Sequence, residues 1–366
     1  MINKWILKIL ICQLYLRVAL AELKLVQAVF RHGNRMPTKE KYYPNDPYAK
    51  YTYEPEGPGG LTNAGKMSSY KLGQYFRERY DQFLGQIYRK DDIYFRADEV
   101  DRIVMTGQLV ASGLYPPYEE QKWNTHLNWQ PIPVWAPPMA TDYLYNGLFC
   151  ENYQIWRSDV EKTDQSVIKF EIENRDVYRY LSHHTGTNIT QSRTLGLRQI
   201  LYAQSDIGLK LPEWTKSVFP NRKLDELAAR DIIIRGRSMK LRRLLGGVWI
   251  REWLKHVDNH LNKTDTRKAF MYAAHELNIG AILVALNNYD NQIPSYSSTL
   301  LFELHEEYNK YYVKVLYRNN NDIRILKFPN CNNTCPLDAF KKYVEPVIPI
   351  DPETLCRKAD IESLYQ

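Results

Sequence analysis

The sequence lacks the features that mark membrane, nucleic-acid-binding and zinc proteins. It has only five cysteines, and no second Cys or His pair at zinc-like spacing accompanies Cys331 and Cys335, so we predict no metal site. Without residues 1–21, 46 basic and 42 acidic residues leave a net charge of +4, and this scattered excess argues against binding to nucleic acid. No internal repeat or low-complexity tract is visible.

Residues 1–21 have the pattern of a secretory leader. A basic start at Lys4 precedes an apolar stretch, and the small-residue end at Ala19–Leu20–Ala21 fits cleavage before Glu22. An uncleaved anchor is the alternative, but two basic residues interrupt the segment and its apolar run is far shorter than the roughly 20 residues that span a bilayer. We therefore expect a secreted or lumenal chain without a stable membrane anchor.

A basic motif directly follows the apolar stretch 23–30. In the run of residues 31–37, His32 lies between Arg31 and Arg35. An imidazole nitrogen can accept a phosphoryl group and release it to water, and guanidinium forks match phosphate oxygens. Gly33 is expected to let the loop approach a ligand closely and to offer a carbonyl that fixes the tautomer of His32. A basic turn with a half-buried histidine is the alternative, because a pattern this short is only moderately specific.

Two further junctions between a strand and a helix carry polar side chains. Arg96 ends one predicted strand, and Asp98 is assigned to the first turn of the next helix, where a carboxylate favours the dipole. His275 and Glu276 follow a buried strand predicted over 269–274. Loops at the carboxyl ends of parallel strands converge on one crevice, and helix N-termini there favour anions. We expect the three junctions to surround one phosphate.

The order of these patterns predicts an α/β fold. A central, mostly parallel sheet flanked by helices is expected over 22–118 and 226–366, as a split catalytic domain. Regular strand alternation disappears over 119–225, which predicts a mostly helical cap insert. Since caps over the carboxyl edge define the pocket, substrate choice is expected to reside in this insert.

The motifs resemble those of the histidine acid phosphatases, branch two of the histidine phosphatase superfamily. The resemblance is greatest to secreted insect members, including venom acid phosphatases, and it covers nearly the whole mature chain. Further family-like segments occur in the same order at 61–65, 115–117, 128–133, 294–298 and 331–337.

The resemblance implies a role for each site residue. His32 is the expected nucleophile, and Glu276 is the expected proton donor. The expected phosphate ligands are Arg31, Arg35, Arg96 and His275. The commonest family pattern has Asp where this chain has Glu276, although insect members resemble this chain in using Glu. The side chain is one methylene longer, so its loop is expected to lie slightly farther back.

The four cysteines outside the leader can pair in three ways. Cys331 and Cys335 are close enough for a local bridge, which leaves Cys150 with Cys356, and the resemblance implies the same pairing. Three sequons predict glycosylation in a secreted chain, at Asn188, Asn262 and Asn332.

The predicted function is hydrolysis of phosphate monoesters, of small molecules or phosphoproteins, through a phosphohistidine without a cofactor. The chain would be secreted, with venom and the lysosome as alternative destinations, and the resemblance allows a homodimer. A phytase-like or inositol polyphosphate phosphatase of the same family is an alternative that a more basic pocket rim would favour. The other alternative is a secreted phospholigand-binding or venom protein, which would have no turnover because Glu276 is misplaced.

Overall fold

The computed structural model describes residues 21–145, 147–320 and 322–356. Apart from Ala21, the predicted leader lies outside these residues. Across the described part of the chain, no helix combines the length and the apolar character needed to traverse a bilayer.

A mixed β-sheet forms the centre of the molecule. Its strands are β1 Glu22–Arg31, β2 Ile93–Ala97, β3 Ala269–Ala274, β4 Thr299–Glu307, β5 Lys310–Asn319, β6 Asp322–Ile325 and β7 Cys335–Pro336. The order is β2-β3-β1-β4-β5-β6, with β7 paired to β5. β1, β2 and β3 pair in parallel, whereas β4, β5 and β6 continue the sheet in antiparallel pairs. Because β5 again points along β1, four of the seven strands run in one direction, and the predicted fold class is confirmed.

Helices cover both faces of the sheet. They are α1 Asn63–Leu84, α2 Asp101–Leu114, α3 Glu151–Thr163, α4 Gln165–Glu173, α5 Arg175–Thr185, α6 Gln191–Asp206, α7 Lys223–Arg235, α8 Met239–Arg242, α9 Val248–Leu261, α10 Glu276–Ala285, α11 Leu337–Val344 and α12 Pro352–Leu355. A π-helical turn over Arg243–Gly247 joins α8 to α9.

The central strands are apolar on both faces because helices cover both. In β1, Leu25 and Val29 belong to the core on the side of α9 and α10, whereas Val26 and Phe30 belong to the core on the side of α1 and α2. All six residues of β3 are buried. Burying this apolar surface fixes the register of β1 and β3, and therefore the positions of the residues that follow them.

The segment predicted as a cap contains α3 to α6. Apolar side chains of α5 and α6 share a core with Leu224 and Leu227 of α7. This core therefore continues past residue 225, where the insert was predicted to end. The division into two domains stays a prediction.

Two disulfides are present. Cys150, the residue before α3, bonds with Cys356, and Cys331 bonds with Cys335 just before α11. This is the pairing that the resemblance implies. The longer bridge joins residues 206 positions apart, so it ties the C-terminal segment to the start of α3.

The loop that follows β1 rests on the first turn of α1. Thr62 caps this helix, since its Oγ1 accepts the N–H of Gly65 at 3.0 Å. A Cβ on Gly65 would lie 2.0 Å from the Asn34 carbonyl oxygen, and one on Gly33 would lie 2.3 Å from the Gly65 carbonyl oxygen. The sequence predicts that the missing Cβ of Gly33 makes room for a ligand. The structure shows that α1 fills this space instead.

Replacing Gly65 with alanine should destabilise the protein. The new methyl group would force the loop away from α1, and overpacking of this kind costs about 1–3 kcal/mol, which thermal denaturation measures as a lower Tm. Gly196→Ala in α6 is the control, because its new methyl group would meet only the flexible side chain of Lys41, at 3.3 Å from Cδ. Equal Tm values for the two variants would contradict the close approach.

Candidate active site

The parallel pairing of β1 with β3 places two histidines side by side. Arg31 pairs with Ala274 at the ends of the strands, and the next backbone N–H, that of His32, donates to the Ala274 carbonyl at 2.9 Å. The ring centroids of His32 and His275 are 5.6 Å apart, nearly perpendicular to one another. Residues that are 243 positions apart in the sequence therefore lie in one site.

His32 is almost fully buried, and its ring is fixed by a backbone contact. Nδ1 lies 2.8 Å from the carbonyl oxygen of Gly33, which can only accept, so Nδ1 carries the proton and Nε2 keeps its lone pair. Burial and the positive charges of Arg102 and Arg31 hold the pKa of His32 well below its ordinary value, although Glu276 opposes them. The ring is therefore neutral and nucleophilic even in acidic solution.

His275 is oriented by a carboxylate. Its Nε2 lies 2.9 Å from Oδ2 of buried Asp98, and its backbone N–H donates to Asn278 Oδ1 at 3.0 Å, at the start of α10. Asp98 lies between β2 and α2, whose first residue is Asp101, so the predicted place of Asp98 in the first turn is wrong. No pattern in the sequence indicates that its partner is a histidine 177 positions away.

Glu276 is buried, and both of its carboxylate oxygens have partners. Oε2 lies 3.0 Å from Nε of Arg31, and Oε1 accepts a hydrogen bond from the carboxamide of Gln199 in α6. Burial would raise the pKa of this carboxyl, but the charges of Arg31 and Arg35 outweigh burial and hold the pKa well below its usual range. These charges therefore favour the ionised form of Glu276.

Arg31 packs behind the reacting groups. Its Nη1 donates to the Pro294 carbonyl at 2.7 Å, its guanidinium lies 4.2 Å from the ring centroid of Tyr296, and its Nε pairs with Glu276. It is 2% exposed and does not line the cavity in front of His32. Its charge acts on both His32 and Glu276.

Arg35 and Arg102 form a cationic wall of the cavity. Nε of Arg102 is buried without a hydrogen-bond partner among the described residues. Burial, and then the charge of Arg35, lower the pKa of Arg102 to about 10, a value at which it is still charged below neutral pH. Two guanidiniums on one wall leave donors free for an anion.

Arg96, one of the four predicted phosphate ligands, pairs with a carboxylate instead. Its Nη2 pairs with Oδ1 of buried Asp142 at 2.8 Å, its guanidinium lies 5.6 Å from the ring centroid of Tyr145, and it does not line the cavity. Arg96 is still part of β2, so its side chain points to one face of the sheet. Arg102 lies in the first turn of the following helix. Its position beyond the end of β2 is the sequence signal that could have identified it as a cavity residue.

The cavity has a volume of about 830 Å³ and extends from His32 to the helices of the predicted cap. Thr187, Arg193 and Gln199 line it from that segment, and Lys41 and Arg235 line it from other parts of the chain. One cavity therefore joins the catalytic strand ends to α6.

Ligand atoms of His32, His275 and Glu276 lie within 4.8 Å of one another, a spacing that would also suit a metal ion. The nearby guanidiniums of Arg31, Arg35 and Arg102 make this position electropositive, which favours an anion over a divalent cation.

The three sequon asparagines, Asn188, Asn262 and Asn332, are exposed.

Residues 22–318 match the family model of the histidine phosphatase superfamily, branch 2. The chain is 36% identical over 350 residues to the venom acid phosphatase of Apis mellifera, covering 93% of this chain and 89% of that one. It is 33% identical over 343 residues to human prostatic acid phosphatase, covering 92% and 88%. Among solved structures, Hafnia alvei phytase in complex with tartrate has a TM-score of 0.67 at 16% identity, covering 90% of this chain and 98% of that one.

Arg102→Ala and Arg96→Ala should have different effects. Loss of Arg102 removes a charged donor from the cavity and should weaken binding of inorganic phosphate about 10- to 100-fold in calorimetric titration. Loss of Arg96 leaves Asp142 buried without its cation, which should destabilise the protein by about 3 kcal/mol in denaturation while phosphate affinity changes less than about threefold. If Arg96→Ala instead weakened phosphate binding and Arg102→Ala instead lowered stability, Arg96 would be the phosphate ligand.

Proposed function

The chain belongs to the histidine phosphatase superfamily, branch 2, and we propose that it is an acid phosphatase that hydrolyses phosphate monoesters through a phosphohistidine. The observation that carries this proposal is the buried, neutral His32, whose Nδ1–H is held by Gly33 and whose Nε2 is free beside two guanidiniums. The acid phosphatase relatives, at 30–36% identity over most of the chain, support the same activity.

The first step is attack of His32 on phosphorus. Nε2 forms the bond to phosphorus while the bond to the ester oxygen breaks, and the Nδ1–H bond to Gly33 stabilises the positive charge that develops on the ring. Arg35 and Arg102 neutralise the charge on the phosphoryl oxygens, and His275 faces the same space. Water then attacks phosphorus, the bond to Nε2 breaks, and phosphate and free His32 are produced.

Glu276 is the proton donor to the leaving alcohol. The surrounding cations stabilise its ionised form. A bound phosphate monoester brings negative charge to those cations, which favours uptake of a proton by Glu276. The protonated acid gives this proton to the leaving oxygen, and the resulting carboxylate can accept one from the attacking water. Acidic solution favours a protonated Glu276, and the low pKa of His32 lets that ring stay neutral under the same conditions.

A second candidate function is hydrolysis of polyphosphorylated substrates. Lys41, Arg193 and Arg235 line the cavity away from His32, with Glu40 as the acidic residue among them. Lys41 has no ion pair among the residues that the structure describes. This basic rim favours a substrate with several anionic groups, and comparing kcat/KM for inositol hexakisphosphate and an aryl phosphate distinguishes the two candidates.

We also propose that the chain is secreted and glycosylated. The predicted leader, the two disulfides and three exposed sequons support this route. Venom and lysosomal proteins among the relatives fit the same route. The homodimer that the resemblance allows stays a prediction.

The protein should hydrolyse an aryl phosphate at pH ~5, near the range in which a glutamic acid is protonated. His32→Ala should lose at least about 1,000-fold in kcat, because the nucleophile is missing, and should form no acid-labile phosphoenzyme after rapid quenching. A chelator should leave the wild-type phosphoenzyme unchanged. Binding of phosphate without hydrolysis by the wild-type protein would favour a binding protein, and near-normal turnover by His32→Ala would refute the nucleophile.

Glu276→Gln should impair hydrolysis of alkyl phosphates more than that of aryl phosphates. An alkoxide is a poor leaving group and needs the proton, whereas an aryl oxide does not, so the difference should be about 100-fold in kcat. For the wild-type protein, kcat for the alkyl substrate should fall as pH rises, because Glu276 loses its proton. Equal losses with both substrates would contradict the role of general acid.

A further inference from the structure

A helix outside the catalytic strands contributes a side chain to the proposed general acid. Gln199 of α6 donates its carboxamide N–H to Oε1 of Glu276, on the side of the carboxylate opposite Arg31. We propose that Gln199 is a positioning residue, which orients Glu276 for proton transfer and sets how readily it takes up the proton. This inference rests on the proposed function, because it concerns the acid of that reaction.

Glu276 needs a second point of attachment because its side chain is long. A glutamate has one more rotatable bond than the aspartate of the commonest family pattern, and holding it in one rotamer costs conformational entropy. Arg31 fixes Oε2 alone, which leaves rotation about the last bond. The carboxamide of Gln199 removes this freedom and holds the carboxyl beside His275.

The helix that carries Gln199 is itself fixed to the catalytic loop. Asn34, two residues after His32, donates to both carboxylate oxygens of Asp206, at 3.1 and 2.8 Å. Tyr202 packs against Tyr296, with ring centroids 5.6 Å apart. Gln199, Tyr202 and Asp206 follow one face of α6, so this face lies on the catalytic elements over two turns. Gln199 therefore has a defined position relative to Glu276.

A carboxamide suits an acid that changes its protonation state. Its N–H donates to a carboxylate, and after rotation about its last bond its oxygen accepts from a protonated carboxyl. It carries no charge, so it does not hold Glu276 ionised as another guanidinium would. The charged and titratable groups that act on Glu276 are Arg31, His32, Arg35, Lys41, Arg102, His275 and Tyr296. Gln199, in contrast to these groups, does not titrate.

Two variants of Gln199 test the inference with alkyl and aryl phosphates over a range of pH. Gln199→Leu should lower kcat for the alkyl phosphate on the order of 10-fold more than for the aryl phosphate, with KM for both almost unchanged, because only proton transfer suffers. Gln199→Glu places a second carboxyl against Glu276, and like charges should move the basic limb of the alkyl profile upward by about one pH unit.

Gln165→Glu is the matched control, since it makes the same change of charge at the exposed first residue of α4 and should keep the wild-type profile. Binding of inorganic phosphate shows whether each variant has formed the cavity. If Gln199→Leu fails to bind phosphate, Gln199→Met takes its place, because methionine has nearly the size of glutamine. Equal losses of kcat for both substrates, or an unmoved basic limb in Gln199→Glu, would overturn the inference. A wild-type protein that hydrolyses neither substrate would instead overturn the proposed function.

Discussion

The parallel register of β1 and β3 is the constraint on which the site depends. Arg31 pairs with Ala274, so the next residue of each strand, His32 and His275, must lie at the same sheet edge. Apolar burial on both faces of these strands sets this register, and a slip of one residue would turn each apolar face the other way. The same hydrophobic patterning that stabilises the fold therefore brings together the groups proposed for catalysis.

Charge decides what this arrangement can do. Burial and the charges of Arg102 and Arg31 hold the pKa of His32 low, and the charges of Arg31 and Arg35 hold the pKa of Glu276 low. The first effect keeps the proposed nucleophile neutral in acid, whereas the second keeps the proposed acid ionised until an anion arrives. A bound phosphate partly neutralises the shared cations, so it favours proton uptake where a proton is needed. Substrate binding and readiness of the acid are thus coupled through the same side chains.

The sequence predicted those parts of the site that local patterns determine. A buried strand followed by a histidine is visible at both His32 and His275, and the apolar pattern identified their strands. Prediction from the sequence failed where the site depends on the direction in which a side chain points. Arg96 and Arg102 have the same charge and lie six residues apart, but only Arg102 extends past the strand end into the cavity. The missing Cβ of Gly33 likewise serves helix packing, which depends on the distant residue Gly65.

Partners contributed by distant segments could not be predicted from spacing. Asp98 orients His275, and Gln199 contacts Glu276 from a helix 77 positions earlier in the chain. Contacts of this kind depend on how α6 lies against the sheet, which the Asn34–Asp206 hydrogen bonds fix. Because α6 also lines the cavity, a change in the segment expected to select the substrate would also move the residue proposed to position Glu276. On these proposals substrate choice and proton transfer are not independent, and exchanging cap segments between relatives should alter both together.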